Sequence, residues 1–71
     1  MPKMQAVDSS SIKSIGYAAP RRELYVRFRQ SGETYVYFDV APSVFEQFYN
    51  AASKGAFLNQ HVRDVYDYVQ L

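Results

Sequence analysis

From Glu23 to Val40 apolar and polar residues alternate with a period of two. Leu24, Val26, Phe28, Val36, Phe38 and Val40 hold one set of positions, and Tyr25, Arg27, Arg29, Tyr35, Tyr37 and Asp39 the other. Successive side chains of a strand point to opposite faces, so this pattern predicts two half-buried strands joined near residues 30–33. An aliphatic and phenyl face is expected toward a core, and a tyrosine and arginine face toward solvent. Opposed residues of an antiparallel pair share a face, so packing Val26 and Phe28 with Val36 and Phe38 requires partner numbers of even sum. A three-residue loop, Ser31 to Glu33, satisfies this. It sets Phe28 opposite Val36, Val26 opposite Phe38 and Leu24 opposite Val40, with Arg29 opposite Tyr35, Arg27 opposite Tyr37 and Tyr25 opposite Asp39 on the polar face. A two-residue Ser31-Gly32 loop fails unless a bulge intervenes.

Upstream, Ile12 to Ala18 reads as a first strand. Ile12 and Ile15 are three apart, so either Gly16 accommodates a bulge or the strand begins near Ser14. Ala19-Pro20-Arg21-Arg22 is the following turn, because proline presets a turn dihedral and cannot continue a ladder. Residues 1–8 carry no apolar period and are expected to form a flexible lead-in to a single domain over 9–71. Past Val40 the period becomes helical. Ser43-Val44-Phe45-Glu46 fits a capping box, so a helix is expected from Val44, with Val44, Phe45, Phe48, Tyr49 and Ala52 on one stripe over the aliphatic sheet face. Gly55 suits a left-handed C-terminal cap of that helix. Phe57, Leu58, Val62, Val65 and Tyr66 suggest a second, shorter helix with Asn59 at its N-cap, and residues 67–71 either continue it or leave as an extended tail. The fold class implied is α+β: a three-stranded antiparallel meander followed by two helices packed on one face, in the order β-β-β-α-α.

Composition narrows the function classes. The 71 residues include seven Tyr, five Phe, no Trp and no Cys, so large rings supply much of the burial and no disulfide or thiolate metal site staples the fold. No apolar run approaches a membrane span or a signal peptide, and a soluble cytoplasmic protein is expected. Net charge is +1, well short of the balance of proteins that hold nucleic acid by charge alone. The distribution is uneven. Six of the eight basic residues precede residue 30 and five of the seven acidic ones follow it.

A resemblance emerges from the motifs. Ser9-Ser10-x-Ile12, Ile15-Gly16-Tyr17, Leu24-x-Val26-x-Phe28, Tyr35-x-Tyr37, Ala52-Ser53-Lys54-Gly55 and Asn59-x-His61-Val62-Arg63-x-x-Tyr66 together resemble the KTSC domain family over roughly residues 8–68. The most specific elements are Tyr-x-Tyr and Asn-x-x-Val-Arg, where the family more often has isoleucine than Val62. The family takes its name from the C-terminal region of some lysyl-tRNA synthetases and also occurs as stand-alone proteins of about this size. The resemblance implies no catalytic residue, and RNA binding follows from it only through the association with the synthetase.

For the tyrosine and arginine face two readings stand side by side. Tyr35 and Tyr37 stack bases while Arg27 and Arg29 meet phosphates, with Tyr25 on the same contact face, as in single-strand binders, or the same residues only stabilise the sheet through cross-strand and cation–π contacts. Burial of this face in a dimer or against a protein partner is the alternative function. One histidine, His61, with no cysteine is too little for a metal site or a triad, so no metal, cofactor or catalytic residue is expected. Asp64 and Asp67 with Arg63 read as a solvated face, and Ser53-Lys54-Gly55 lacks the glycines of a phosphate loop. The expected function is thus a non-enzymatic binding module for single-stranded RNA or tRNA, with a protein partner or a second copy as the alternative and no role for a membrane.

Overall fold

The computed structural model describes residues 1–71. In chain order the elements are β1 (Gln5–Ala6), β2 (Ile12–Ala18), a 3-10 turn (Ala19–Arg21), β3 (Glu23–Phe28), β4 (Thr34–Tyr37), α1 (Pro42–Asn50), α2 (Lys54–His61) and β5 (Tyr68–Gln70). The strands form one antiparallel sheet in the order β1-β2-β3-β4-β5. The class is α+β with two helices, as the pattern implies, but the three-stranded meander is only the middle of a five-stranded sheet. The edge strands are two and three residues long, too short to print a period on the sequence. Residues 67–71, open between helix and extended chain, supply β5.

The hairpin register departs from the expected one. Leu24 faces Tyr37, Tyr25 faces Val36, Val26 faces Tyr35 and Arg27 faces Thr34. The cause is the loop. Phe28 N–H donates to Glu33 O at 2.9 Å, and Gly32 N–H donates back to Phe28 O at 3.0 Å, so four residues rather than three cross the hairpin. Gly32 holds φ at +73°, a left-handed angle that glycine adopts without a Cβ penalty. One more loop residue changes the parity, and Tyr35 and Tyr37 turn to the side of Leu24 and Val26 while Val36 turns to the side of Tyr25 and Arg27. The alternation itself ends at Asp39. Its φ of +61° bends the chain, and Val40 drops back into the core with its N–H on Arg22 O.

The irregularity in β2 lies at Lys13, not Gly16. Ile12 pairs with Phe28 and Ser14 with Arg27, which leaves Lys13 as the extra residue and puts Ile12 and Ile15 on one face. Gly16 answers a different need. A Cβ there would lie 2.8 Å from Met4 Sδ and 2.9 Å from Lys3 O, because the segment leading into β1 crosses it.

Both helix starts are shifted from the expected ones. Pro42 occupies the first turn of α1 behind an extended Ala41, and Ser43 makes no side-chain cap. Ser53 caps α2 instead, its hydroxyl accepting from Ala56 N–H at 3.2 Å, and Gly55 lies inside that helix rather than after α1. Gly55 lies close to the start of β2, and a Cβ on it would meet Ser11 Oγ at 2.8 Å, so the serine side chain would have to turn aside. Phe48 is fully buried at the centre of the stripe, with Leu58 and Val62 from the α2 end beside it, and this group closes over Ile12, Ile15, Leu24, Val26 and Val40. Tyr17 joins sheet to helix by stacking on Phe45 at 4.8 Å and donating its hydroxyl to Val40 O. No helix is long and apolar enough to cross a membrane.

Candidate nucleic-acid interface

The register divides the five residues proposed as a contact face among three places. Tyr25 and Arg27 stay on the side away from the helices. Arg27 Nε donates to Thr34 Oγ1 of its cross-strand partner at 3.0 Å, and Tyr25 donates to Glu23 Oε1 at 3.0 Å. Partial desolvation and the Glu23 carboxylate push the Tyr25 phenol above its ordinary value of 10.0, because both disfavour the phenolate. Arg29 sits in the hairpin loop and reaches the start of β2, with Nε on Ser9 O at 3.1 Å and Nη2 near Ile12 O at 3.4 Å. It works as a tie between loops. Tyr35 and Tyr37 lie on the helix side of the sheet, so the single face of Tyr25, Arg27, Arg29, Tyr35 and Tyr37 does not form.

A different cluster forms around the two central tyrosines. Tyr35 and Tyr37 are two apart on β4 and share a side, and Tyr68 faces Tyr37 from β5. The Tyr35 and Tyr68 rings are near parallel with centroids 5.4 Å apart, and Tyr37 completes the group at 6.5 Å from Tyr35 and 5.8 Å from Tyr68. Phe28 meets the edge of Tyr35 at 5.4 Å. Exposure rises outward across this group. Tyr37 is 2% exposed, Tyr35 half-buried and Tyr68 54% exposed.

A shallow groove of about 300 Å³ runs past the cluster, lined by Phe28, Ser31, Glu33, Tyr35, Tyr37 and Arg63. Arg63 follows the C-terminal end of α2 and is positioned by Asn59, whose Oδ1 accepts from Nη1 at 3.1 Å. One of five guanidinium N–H groups is used in that bond. Burial pushes the Tyr37 phenol above 10.0, and the Arg63 charge pulls the other way. An aromatic surface and a cation thus share one opening. The signal for Arg63 is its four-residue spacing from Asn59, a helical neighbour distance, whereas Asp64 and Asp67 beside it read as a solvated face. Tyr68 carried no signal, because its strand is too short to show a period.

Elsewhere the chemistry-bearing residues are structural. Ser9 Oγ accepts the N–H groups of Ser11 and Ile12, and Lys54 Nζ donates to Ala51 O, which ties the serine run and the start of α2 into their own turns. The His61 ring packs on Phe57 with centroids 4.8 Å apart. No three His, Cys, Asp or Glu side chains gather as a metal site.

A sequence model of the KTSC domain matches residues 8–66. The chain belongs to the KTSC domain family. A crystal structure of a KTSC domain protein from Yersinia pestis superimposes with a TM-score of 0.93 at 35% identity, covering 97% of this chain and 96% of that one. A protein of Tsukamurella paurometabola is 42% identical over 60 residues, 84% of this chain and 88% of its own length. A lysine–tRNA ligase of Nostoc punctiforme is 38% identical over 64 residues, which is 90% of this chain but 11% of that enzyme. The KTSC domain is therefore found both at nearly full length in a small protein and as a small part of a large one. In this chain the two segments most specific to the resemblance, Tyr35-x-Tyr37 and Asn59-x-x-Val62-Arg63, meet at the groove.

Proposed function

We propose that this KTSC domain is a non-enzymatic, cytoplasmic binding module for single-stranded RNA, tRNA included, and that its contact surface is the aromatic groove on the helix side of the sheet. The observation that carries the reading is the half-exposed Tyr68 stacked on Tyr35, which in turn lines one groove with Tyr37 and Arg63. An unpaired base stacks on the outer tyrosine, whose ring is already held flat by the one beneath it, and Arg63 meets the adjoining phosphate. Stacking is tolerant of sequence, so the module grips the strand without reading it. Tyr25 and Arg27, on the far side, take no part in that contact, and Arg29 is engaged in fixing the loop. The likeness to a segment of a lysine–tRNA ligase favours an RNA partner over a protein one.

The test is a titration of fluorescent single-stranded RNA at two salt concentrations with the wild type and two variants. Saturable binding is expected at low salt. Arg63→Ala should lower affinity for all sequences and reduce the salt slope by about 0.7, one phosphate contact on a single strand. Tyr68→Ala should weaken binding by roughly 1–3 kcal/mol with the slope unchanged, because stacking releases no counterions. A folded wild-type protein that binds no RNA at low salt overturns the proposal and leaves protein recognition by the same groove.

A further inference from the structure

The sheet has two unlike edges. β1 is two residues long, Gln5–Ala6, and a short edge offers little to pair with. β5 is open in another way. Val65, Tyr68, Val69 and Leu71 are 61%, 54%, 47% and 64% exposed, and no lysine, arginine or proline interrupts Tyr68 to Leu71. Charge, proline and shortness are the usual devices that keep an edge from pairing, and here only Asp67 and the brevity of the strand remain.

The backbone of β5 is divided between two sides. Leu71 N–H donates to Thr34 O at 2.8 Å, Phe38 N–H donates to Asp67 O at 2.9 Å, and Val69 faces Val36 between them. In an antiparallel ladder alternate residues bond to the same neighbour. Asp67, Val69 and Leu71 therefore turn toward β4, and Tyr68 and Gln70 turn their N–H and C=O groups outward.

We propose that β5 pairs with β5 of a second copy, antiparallel about a two-fold axis at Val69, joining two five-stranded sheets into one. This axis sets Tyr68 of each copy opposite Gln70 of the other, so all the outward groups of both residues are bonded, and Val69 lies against Val69 at the close, non-hydrogen-bonded position. An axis at Tyr68 would instead require Tyr66, whose N–H is already bonded to Val62 O. The paired segment is short and small beside a standard interface, so association is weak and concentration-dependent. The pairing needs no RNA, although Tyr68 belongs to both the paired strand and the proposed RNA surface.

Sedimentation velocity over a concentration series up to about 1 mM tests the pairing. A reversible monomer–dimer equilibrium is expected for the wild type. Gln70→Pro removes an N–H that faces away from β4, a position where proline is tolerated at a sheet edge, and should raise the dissociation constant about tenfold or more. Val69→Lys should do the same by setting two ammonium groups across the axis, and it keeps the test decisive if the proline variant fails to fold. Amide exchange at Tyr68 and Gln70 in the wild type should slow as concentration rises. A wild type that stays monomeric throughout overturns the proposal. So does a dimer that a folded variant leaves intact, or exchange at those two amides that ignores concentration.

Discussion

The helix side of the sheet has a closed half on β2 and β3 and an open half on β4 and β5, built by the same alternation. In the closed half Ile12, Ile15, Leu24 and Val26 are fully or nearly fully buried beneath Phe48. In the open half Tyr37, Tyr35 and Tyr68 pass from buried to half exposed. The helices close over the β2 and β3 side chains, and the aromatic residues of β4 and β5 lie progressively outside that cover. Aliphatic residues suit the covered part. Tyrosine suits the margin, where a ring buries one face against a neighbour and its hydroxyl stays wet. The cluster is therefore a boundary of the core before it is anything else, and the question for function is what a boundary of stacked rings beside Arg63 can hold.

If the two halves differ as described, truncation should separate them. Phe48→Ala empties the centre of the closed half and should cost about 3–5 kcal/mol, close to the whole stability of a domain this small. Loss of the cooperative denaturation transition by circular dichroism is the expected result. Tyr68→Ala should cost less than about 1.5 kcal/mol, because its ring is half in water and its contribution is mostly a stacked pair. The comparison breaks if the Tyr68 variant unfolds like the Phe48 one, since the open half would then be core.

The contrast also explains what the sequence conveyed. Burial of Leu24, Val26 and Phe48 was legible because each sits in a run long enough to show its period, and the class of fold followed. The side taken by Tyr35 and Tyr37 was not. It hung on one loop residue, and the four-residue loop Arg29-Gln30-Ser31-Gly32 is as compatible with the sequence as the three-residue Ser31-Gly32-Glu33. Pairing apolar with apolar residues favours a loop that leaves tyrosine outside, whereas Tyr37 is a core residue at 2% exposure. The site was half legible for a related reason. Tyr35, Tyr37, Asn59 and Arg63 all stood out as motif residues, but only the correct register brings them to one groove, and Tyr68 arrives on a strand too brief to be read.

The loop can be probed directly. Gly32 stands at φ +73° with no heavy atom within 4 Å of a would-be Cβ, so Gly32→Ala meets a dihedral penalty and no clash. The expected loss is about 1 kcal/mol, the usual size of a left-handed penalty for a residue with a side chain. Chemical denaturation with an unchanged slope should register it. A neutral or stabilising substitution would mean that the hairpin does not need this angle, and the parity that places both tyrosines on the helix side would lose its cause.

The smallest effect tests the boundary itself. At neutral pH Tyr37→Phe keeps the ring that the core packs against, and stability should change by no more than about 0.5 kcal/mol. Alkali distinguishes the two proteins. Because burial raises the Tyr37 phenol above 10.0, the folded state holds its proton more tightly than the unfolded chain does, and the stability this provides is complete below pH 10. As pH rises from the unfolded value through the higher folded one, the unfolded chain loses the proton first, so stability falls. Tyr25 is raised as well and should add a like-signed contribution. Denaturation midpoints measured from pH 8 to 12 should therefore decline above about pH 10, and Tyr37→Phe should flatten part of that decline. A decline as steep in Tyr37→Phe as in the wild type would show that burial does not hold the Tyr37 proton, and the buried end of the gradient from core to groove would not exist.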